Sequence, residues 1–66
     1  MSVVKVIEVM SESPKSWEDA TATAVAKASK SISGISSAWV KDQSVTVQDG
    51  KVTSYRVTLK LSFEVK

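Results

Sequence analysis

A chain of 66 residues, 42% hydrophobic and 24% charged with a net charge of +2, is one small globular domain. Below roughly 70–80 residues a single core seldom contributes more than about 3–5 kcal/mol, so disulfides, a metal or further subunits usually complete the fold. The chain has no Cys and no His, which excludes disulfides and Cys/His zinc sites and leaves oligomerisation first and an all-oxygen cation site second. No apolar run approaches the roughly 20 residues that span a membrane, and no basic-then-apolar leader opens the chain, so a soluble cytoplasmic protein is expected.

Residues 3–10, Val-Val-Lys-Val-Ile-Glu-Val-Met, are rich in β-branched side chains and predict a first strand, ended by a turn in the Ser/Pro cluster Ser11–Ser16. Its apolar residues fall on both faces, as in a strand covered from two sides. The period then changes to 3.6. Trp17, Ala20, Ala24, Ala28, Ile32 and Ile35 form one stripe of a helix, with Lys15, Glu18, Asp19, Lys27 and Lys30 mostly on the other side. Ser13 before Pro14, or Ser16 ahead of Asp19, is the expected N-cap, and Gly34 the expected stop. An Ala-rich stripe lets the helix lie close to a sheet while contributing little apolar area per turn.

Asp49-Gly50 signals a type I′ turn between two strands, residues 37–48 and 51–66. The last strand alternates without a break, Tyr55, Val57, Leu59, Leu61, Phe63 and Val65 on one face, and is expected at the centre of the sheet. Counting back from the turn pairs Gln48 with Lys51, Val47 with Val52, Gln43 with Arg56, Lys41 with Thr58 and Trp39 with Lys60. That register puts Trp39, Gln43, Val45, Val47 and Val52 on one uncovered face, and Ala38, Val40, Asp42, Ser44 and Thr46 on the other.

Trp39 on that face is either a subunit contact or a stacking platform for a planar ligand. Trp17, at the head of the helix stripe, reads as core or interface rather than as a ligand site. Arg56 is the one arginine among nine basic residues; its planar fork fits a carboxylate, a phosphate or an imide edge, or else it is a cross-strand partner of Gln43 or a subunit ion pair. Trp39, Lys41, Arg56 and Lys60 make only a sparse version of a surface for single-stranded nucleic acid, and one aromatic at a net charge of +2 argues against that partner. Without His or Cys no nucleophilic triad can be assembled, and the two glycines serve a helix stop and a turn rather than a phosphate loop, so no enzymatic activity is expected. The carboxylates, Glu8, Glu12, Glu18, Asp19, Asp42, Asp49 and Glu64, are scattered and would have to meet across subunits to hold a cation such as Ca²⁺.

Val6-Ile7-Glu8-Val9 leading to Ser11-Glu12-Ser13-Pro14, the helix opening Trp17-Glu18-Asp19-Ala20, and Tyr55-Arg56-Val57-Thr58-Leu59-Lys60-Leu61-Ser62-Phe63 together resemble the dodecin family over almost the whole chain. The resemblance implies an α+β fold in one domain, residues 1–66: a β-α-β-β protomer whose three-stranded antiparallel sheet wraps around one helix, assembled as a hollow homododecamer. It further implies storage of a flavin, FMN or riboflavin, between subunits, the ring stacked on a Trp of the second strand and its edge bonded by a Gln at the start of the last strand. Here the Trp position falls on Ser37, with Trp39 two residues on and about 7 Å further along the same strand face. The Gln position falls on Arg56. Ser37, Trp39, Gln43 and Arg56 are therefore the candidate ligand-binding residues. The helix opening and Tyr55-Arg56 are more similar to a branch of dodecin-like proteins that bind calcium, which makes a flavin-free, calcium-binding or purely structural shell the alternative.

Overall fold

The structure, a computed structural model, describes residues 3–65. Strand β1 (Val3–Ser13) leads into helix α1 (Trp17–Ser31), followed by β2 (Ile35–Gln48) and β3 (Lys51–Val65). The three strands form one antiparallel sheet in the order β1-β3-β2, with the alternating last strand at its centre as expected.

Two local expectations need correction, and one pair of alternatives is decided. Strand β1 does not stop at Met10 but continues to Ser13, because Ser11, Glu12 and Ser13 pair with Val57, Arg56 and Tyr55 of β3. Ladder hydrogen bonds outweigh the weak strand propensity of serine. Ser16, not Ser13, is the N-cap, its hydroxyl accepting from the Asp19 N–H at 2.9 Å. Ser13 lies buried beside it and donates to Asp19 Oδ2 at 2.6 Å. The helix ends at Ser31, where the Ile32 N–H bonds to the Ala28 carbonyl; Gly34, at φ +78°, turns the chain into β2 rather than capping α1.

At the hairpin tip Asp49 and Gly50 have φ of 52° and 76°, the doubly positive pair that a type I′ turn requires. Beyond the tip the register departs from simple counting. Val47 pairs with Val52 and Trp39 with Lys60 as expected, but between them Thr46 pairs with Ser54, Ser44 with Arg56, Gln43 with Val57 and Asp42 with Thr58. Two bulges account for this. Thr53 is extra on β3 and Lys41 is extra on β2, and the second restores what the first displaced. A third bulge inserts Ser36 between Ile35 and Ser37.

The consequence is an exchange of faces. Asp42, Ser44 and Thr46 stand opposite Thr58, Arg56 and Ser54, on the side away from the helix, whereas Gln43 and Val45 stand opposite Val57 and Tyr55, in the row that faces it. All three bulge residues direct their side chains to the helix-free side. Ser36 and Ser37 both reach the Ser62 hydroxyl, Lys41 reaches Glu8, and Thr53 and Ser54 both reach the Thr46 hydroxyl. An extra residue on one side bends a sheet away from that side, which is how this one curves around α1.

The core lies in that concavity. Ala20 of α1 is fully buried against Val57, Leu59 and Leu61 of β3, with Ile7, Val9, Trp17, Ala24, Val25, Ala28 and Ile35 packed around them. Ala20, Ala24 and Ala28 follow the expected helix stripe, while Ile32 and Ile35 fall beyond the helix. Such a core is small for the chain that surrounds it. The Cα radius of gyration is 13.6 Å and the molecule is 51 Å long, against about 11 Å expected for a compact chain of this length. Among the described residues ten large hydrophobic side chains are 36–68% exposed. No helix among these residues is long and apolar enough to cross a membrane.

Candidate functional site

The helix-free face of the sheet can be laid out from the ladder. Across β1, β3 and β2 its rows read Val6, Ser62, Ser37; Glu8, Lys60, Trp39; Met10, Thr58, Asp42; and Glu12, Arg56, Ser44. Val6, Met10 and Trp39 are exposed at 47%, 68% and 45%, so this face carries apolar surface with charges between. Ser62 is buried beneath the Ser36 and Ser37 side chains and shares its hydroxyl with both.

Among the described residues two ion pairs cross this face. Arg56 Nε donates to Glu12 Oε2 at 2.8 Å between neighbouring strands. Lys41 Nζ donates to Glu8 Oε1 at 3.0 Å, and since β2 and β1 are both edge strands, this contact passes over the central strand. The hydrogen bond that Lys41 donates to Glu8, and then the Glu8 charge, hold the Lys41 ammonium above its ordinary pKa of 10.5, with Asp42 adding a smaller pull. Both pairs are about half exposed, and pairs of this kind contribute little to stability. Their effect is positional: each holds two long side chains together on this face.

Of the four residues singled out from the sequence, the fold brings three to this face. Ser37 bonds to Ser62, Trp39 stands beside Lys60, and Arg56 is held by Glu12. Four residues of β3 separate the Trp39 row from the Arg56 row, about 13 Å along the strand, so one protomer does not close a pocket around both. Gln43 is the exception and corrects the expectation. The Lys41 bulge turns it to the opposite side, where with Trp17, Glu18, Thr21, Ala22 and Val40 it lines a groove between α1 and β2. Arg56 is correspondingly a cross-strand partner of Ser44 and an ion-pair partner of Glu12, not a partner of Gln43.

Trp17 reads correctly as packing. Its ring meets Tyr55 edge-on at a centroid distance of 5.1 Å, and its indole N–H donates to the Ser44 carbonyl at 3.0 Å, fastening the start of α1 to the middle of β2. Glu8 and Glu12 were not singled out as partners of Lys41 and Arg56. Their spacing of four along a strand, which places both on one face, was the available signal.

The sequence matches the Dodecin family profile over residues 3–66. The chain belongs to the dodecin family. The calcium dodecin of Mycobacterium tuberculosis is 41% identical over 66 residues, covering 100% of this chain and 93% of that protein. Dodecin from Streptomyces coelicolor superposes with a TM-score of 0.93 at 29% identity, covering 98% of this chain and 93% of the other. The crystal structure of the M. tuberculosis protein, described as a calcium-chelating immunodominant antigen with a novel calcium-binding site, gives a TM-score of 0.85 at 42% identity, with coverage of 98% and 93%. The β-α-β-β arrangement with its curved three-stranded sheet is thus the dodecin fold. Within one protomer, no three of the described acidic residues gather where a metal ion would sit.

Proposed function

We propose that the protein is a non-enzymatic binding and storage protein, that it works as a hollow homododecamer, and that its ligand is Ca²⁺ held between subunits. The observation that carries the choice of ligand is the state of the two positions a dodecin flavin would use. Ser37 is bonded to Ser62, and the Arg56 guanidinium is bonded to Glu12, so both are occupied by contacts within the sheet. The 41% identity to a calcium dodecin over the full chain points the same way. Calcium takes about 6–8 oxygen ligands, and no three of the described acidic residues gather within one chain, so the proposed site draws its ligands from more than one chain. Glu18, Asp42, Asp49 and Glu64 are exposed and lie outside the two ion pairs, which makes them the candidate carboxylates for sharing.

The second reading is flavin, FMN or riboflavin, and Trp39 favours it: an indole 45% exposed on a sheet face is a ready stacking surface. One pair of titrations separates the two. In chelator-treated protein, Ca²⁺ at 100 times its dissociation constant is expected to add about 2.7 kcal/mol of stability, read as a rise in Tm, while FMN fluorescence stays unquenched. A Tm that does not move up to millimolar Ca²⁺, with FMN quenched by the native protein and not by Trp39→Ala, would replace calcium with flavin.

A further inference from the structure

The groove between α1 and β2 owes its composition to one irregularity in the ladder. Regular alternation along β2 would set Gln43 on the side of Trp39 and away from Val40; the extra residue Lys41 sets it beside Val40, toward the helix. Trp17, Glu18, Thr21 and Ala22 of α1 form the other wall, around a volume of about 390 Å³, near the small end of ligand sites. Two polar groups of this lining are already engaged. The Trp17 indole N–H donates to the Ser44 carbonyl at 3.0 Å, and the Thr21 hydroxyl donates to the Trp17 carbonyl at 2.9 Å. Two others are not. Glu18 belongs to neither ion pair among the described residues, and the Gln43 amide takes part in none of their side-chain hydrogen bonds. No Lys or Arg lines the groove, although the chain as a whole carries a net charge of +2. The remaining surface is the indole, the small Ala22 and the 42% exposed Val40.

The geometry points to a binding site in this groove for a small organic cation, a primary ammonium on a short alkyl stem. An ammonium has three donors and no acceptor, and an ionised carboxylate only accepts, so the Glu18 carboxylate takes one N–H in a charge-assisted bond and the Gln43 carbonyl takes a second. The stem then lies on Trp17, Ala22 and Val40, which removes apolar surface of both partners from water. An anion would meet Glu18 with no basic residue of the lining to offset it. A bare Ca²⁺ ion needs about 6–8 oxygens, far more than this lining offers, so the site is separate from the calcium site proposed above and meets it only at Glu18.

The test is a titration of butylammonium chloride into the chelator-treated full chain at constant ionic strength. Fluorescence of Trp17 is the readout, in a Trp39→Phe background where it is the one indole left. Butan-1-ol keeps the stem without the charge, and butyrate reverses the charge. A saturable change is expected with butylammonium, binding at least about tenfold weaker with butan-1-ol, and none with butyrate; tenfold is equivalent to roughly 1.4 kcal/mol. Glu18→Gln, which keeps the shape and removes the charge, is expected to weaken the ammonium by about tenfold and to leave butan-1-ol unchanged. Ala22→Leu fills the groove from an exposed helix position that accepts leucine, and is expected to abolish saturation by both ligands with circular dichroism intact. Equal affinities for butylammonium and butan-1-ol, an ammonium affinity unchanged in either variant, or a linear response that sodium chloride reproduces would overturn the site. The rise in Tm with Ca²⁺ is measured without amine, so a failure of this site and a failure of the calcium reading are told apart.

Discussion

Leu59→Ala is expected to lower the melting temperature by more than 10 °C and to leave little folded protein under conditions where the native chain is intact. Leu59 is fully buried at the middle of the central strand, between β1 and β2 and directly beneath α1. Truncating a buried leucine costs about 2–5 kcal/mol, because the transfer energy of the removed carbons is lost and the cavity does not fully collapse. In this protomer the facing helix residues are alanines, too short to move into the gap. That cost is comparable to the roughly 3–5 kcal/mol a core of this size supplies altogether. Leu59→Met, which conserves volume, is expected to cost under about 1.5 kcal/mol. Thermal melts followed by circular dichroism check the pair. A shift below about 5 °C for the alanine variant would mean that the stability lies outside the Ala20, Val57, Leu59, Leu61 cluster.

Trp17→Ala carries the second large effect, for a different reason. The indole fastens the start of α1 to the hairpin, packing on Tyr55 and bonding to the Ser44 carbonyl. Its removal is expected to cost about 3 kcal/mol, near the lower end for a large aromatic because the ring is only partly buried. Trp17→Phe isolates the components. It keeps an aromatic edge against Tyr55 and removes only the N–H, and because the Ser44 carbonyl then bonds to water, the loss is expected to be about 1 kcal/mol. Urea midpoints at unchanged m-value read both. Equal losses for Phe and Ala would transfer the role from packing to the hydrogen bond.

How much of this was legible in the sequence depended on whether one residue type or a long-range pairing decided the matter. Asp49-Gly50 is a local requirement of a tight turn, and the six-residue alternation from Tyr55 to Val65 declares its own buried face. The alanine stripe was legible for the same reason. The bulges were not, since Ser36, Lys41 and Thr53 have no backbone peculiarity of their own and are extra only with respect to the opposite strand. That omission had a cost at the site, where counting without bulges put Gln43 beside Arg56 on the face of Trp39. Likewise Glu12 was assigned to a turn, and only the continuation of β1 to Ser13 sets it opposite Arg56. Trp39 stayed where counting placed it because the Thr53 and Lys41 bulges cancel before its row is reached.

The proposed assembly follows from a protomer that is incomplete alone: among the described residues it has a four-residue buried cluster and ten exposed large hydrophobic side chains, with a radius of gyration of 13.6 Å. Sedimentation equilibrium of the native chain at micromolar concentration tests that claim most directly. The account predicts one species with the mass of twelve protomers, whereas a folded, monodisperse monomer at the same concentration would contradict it.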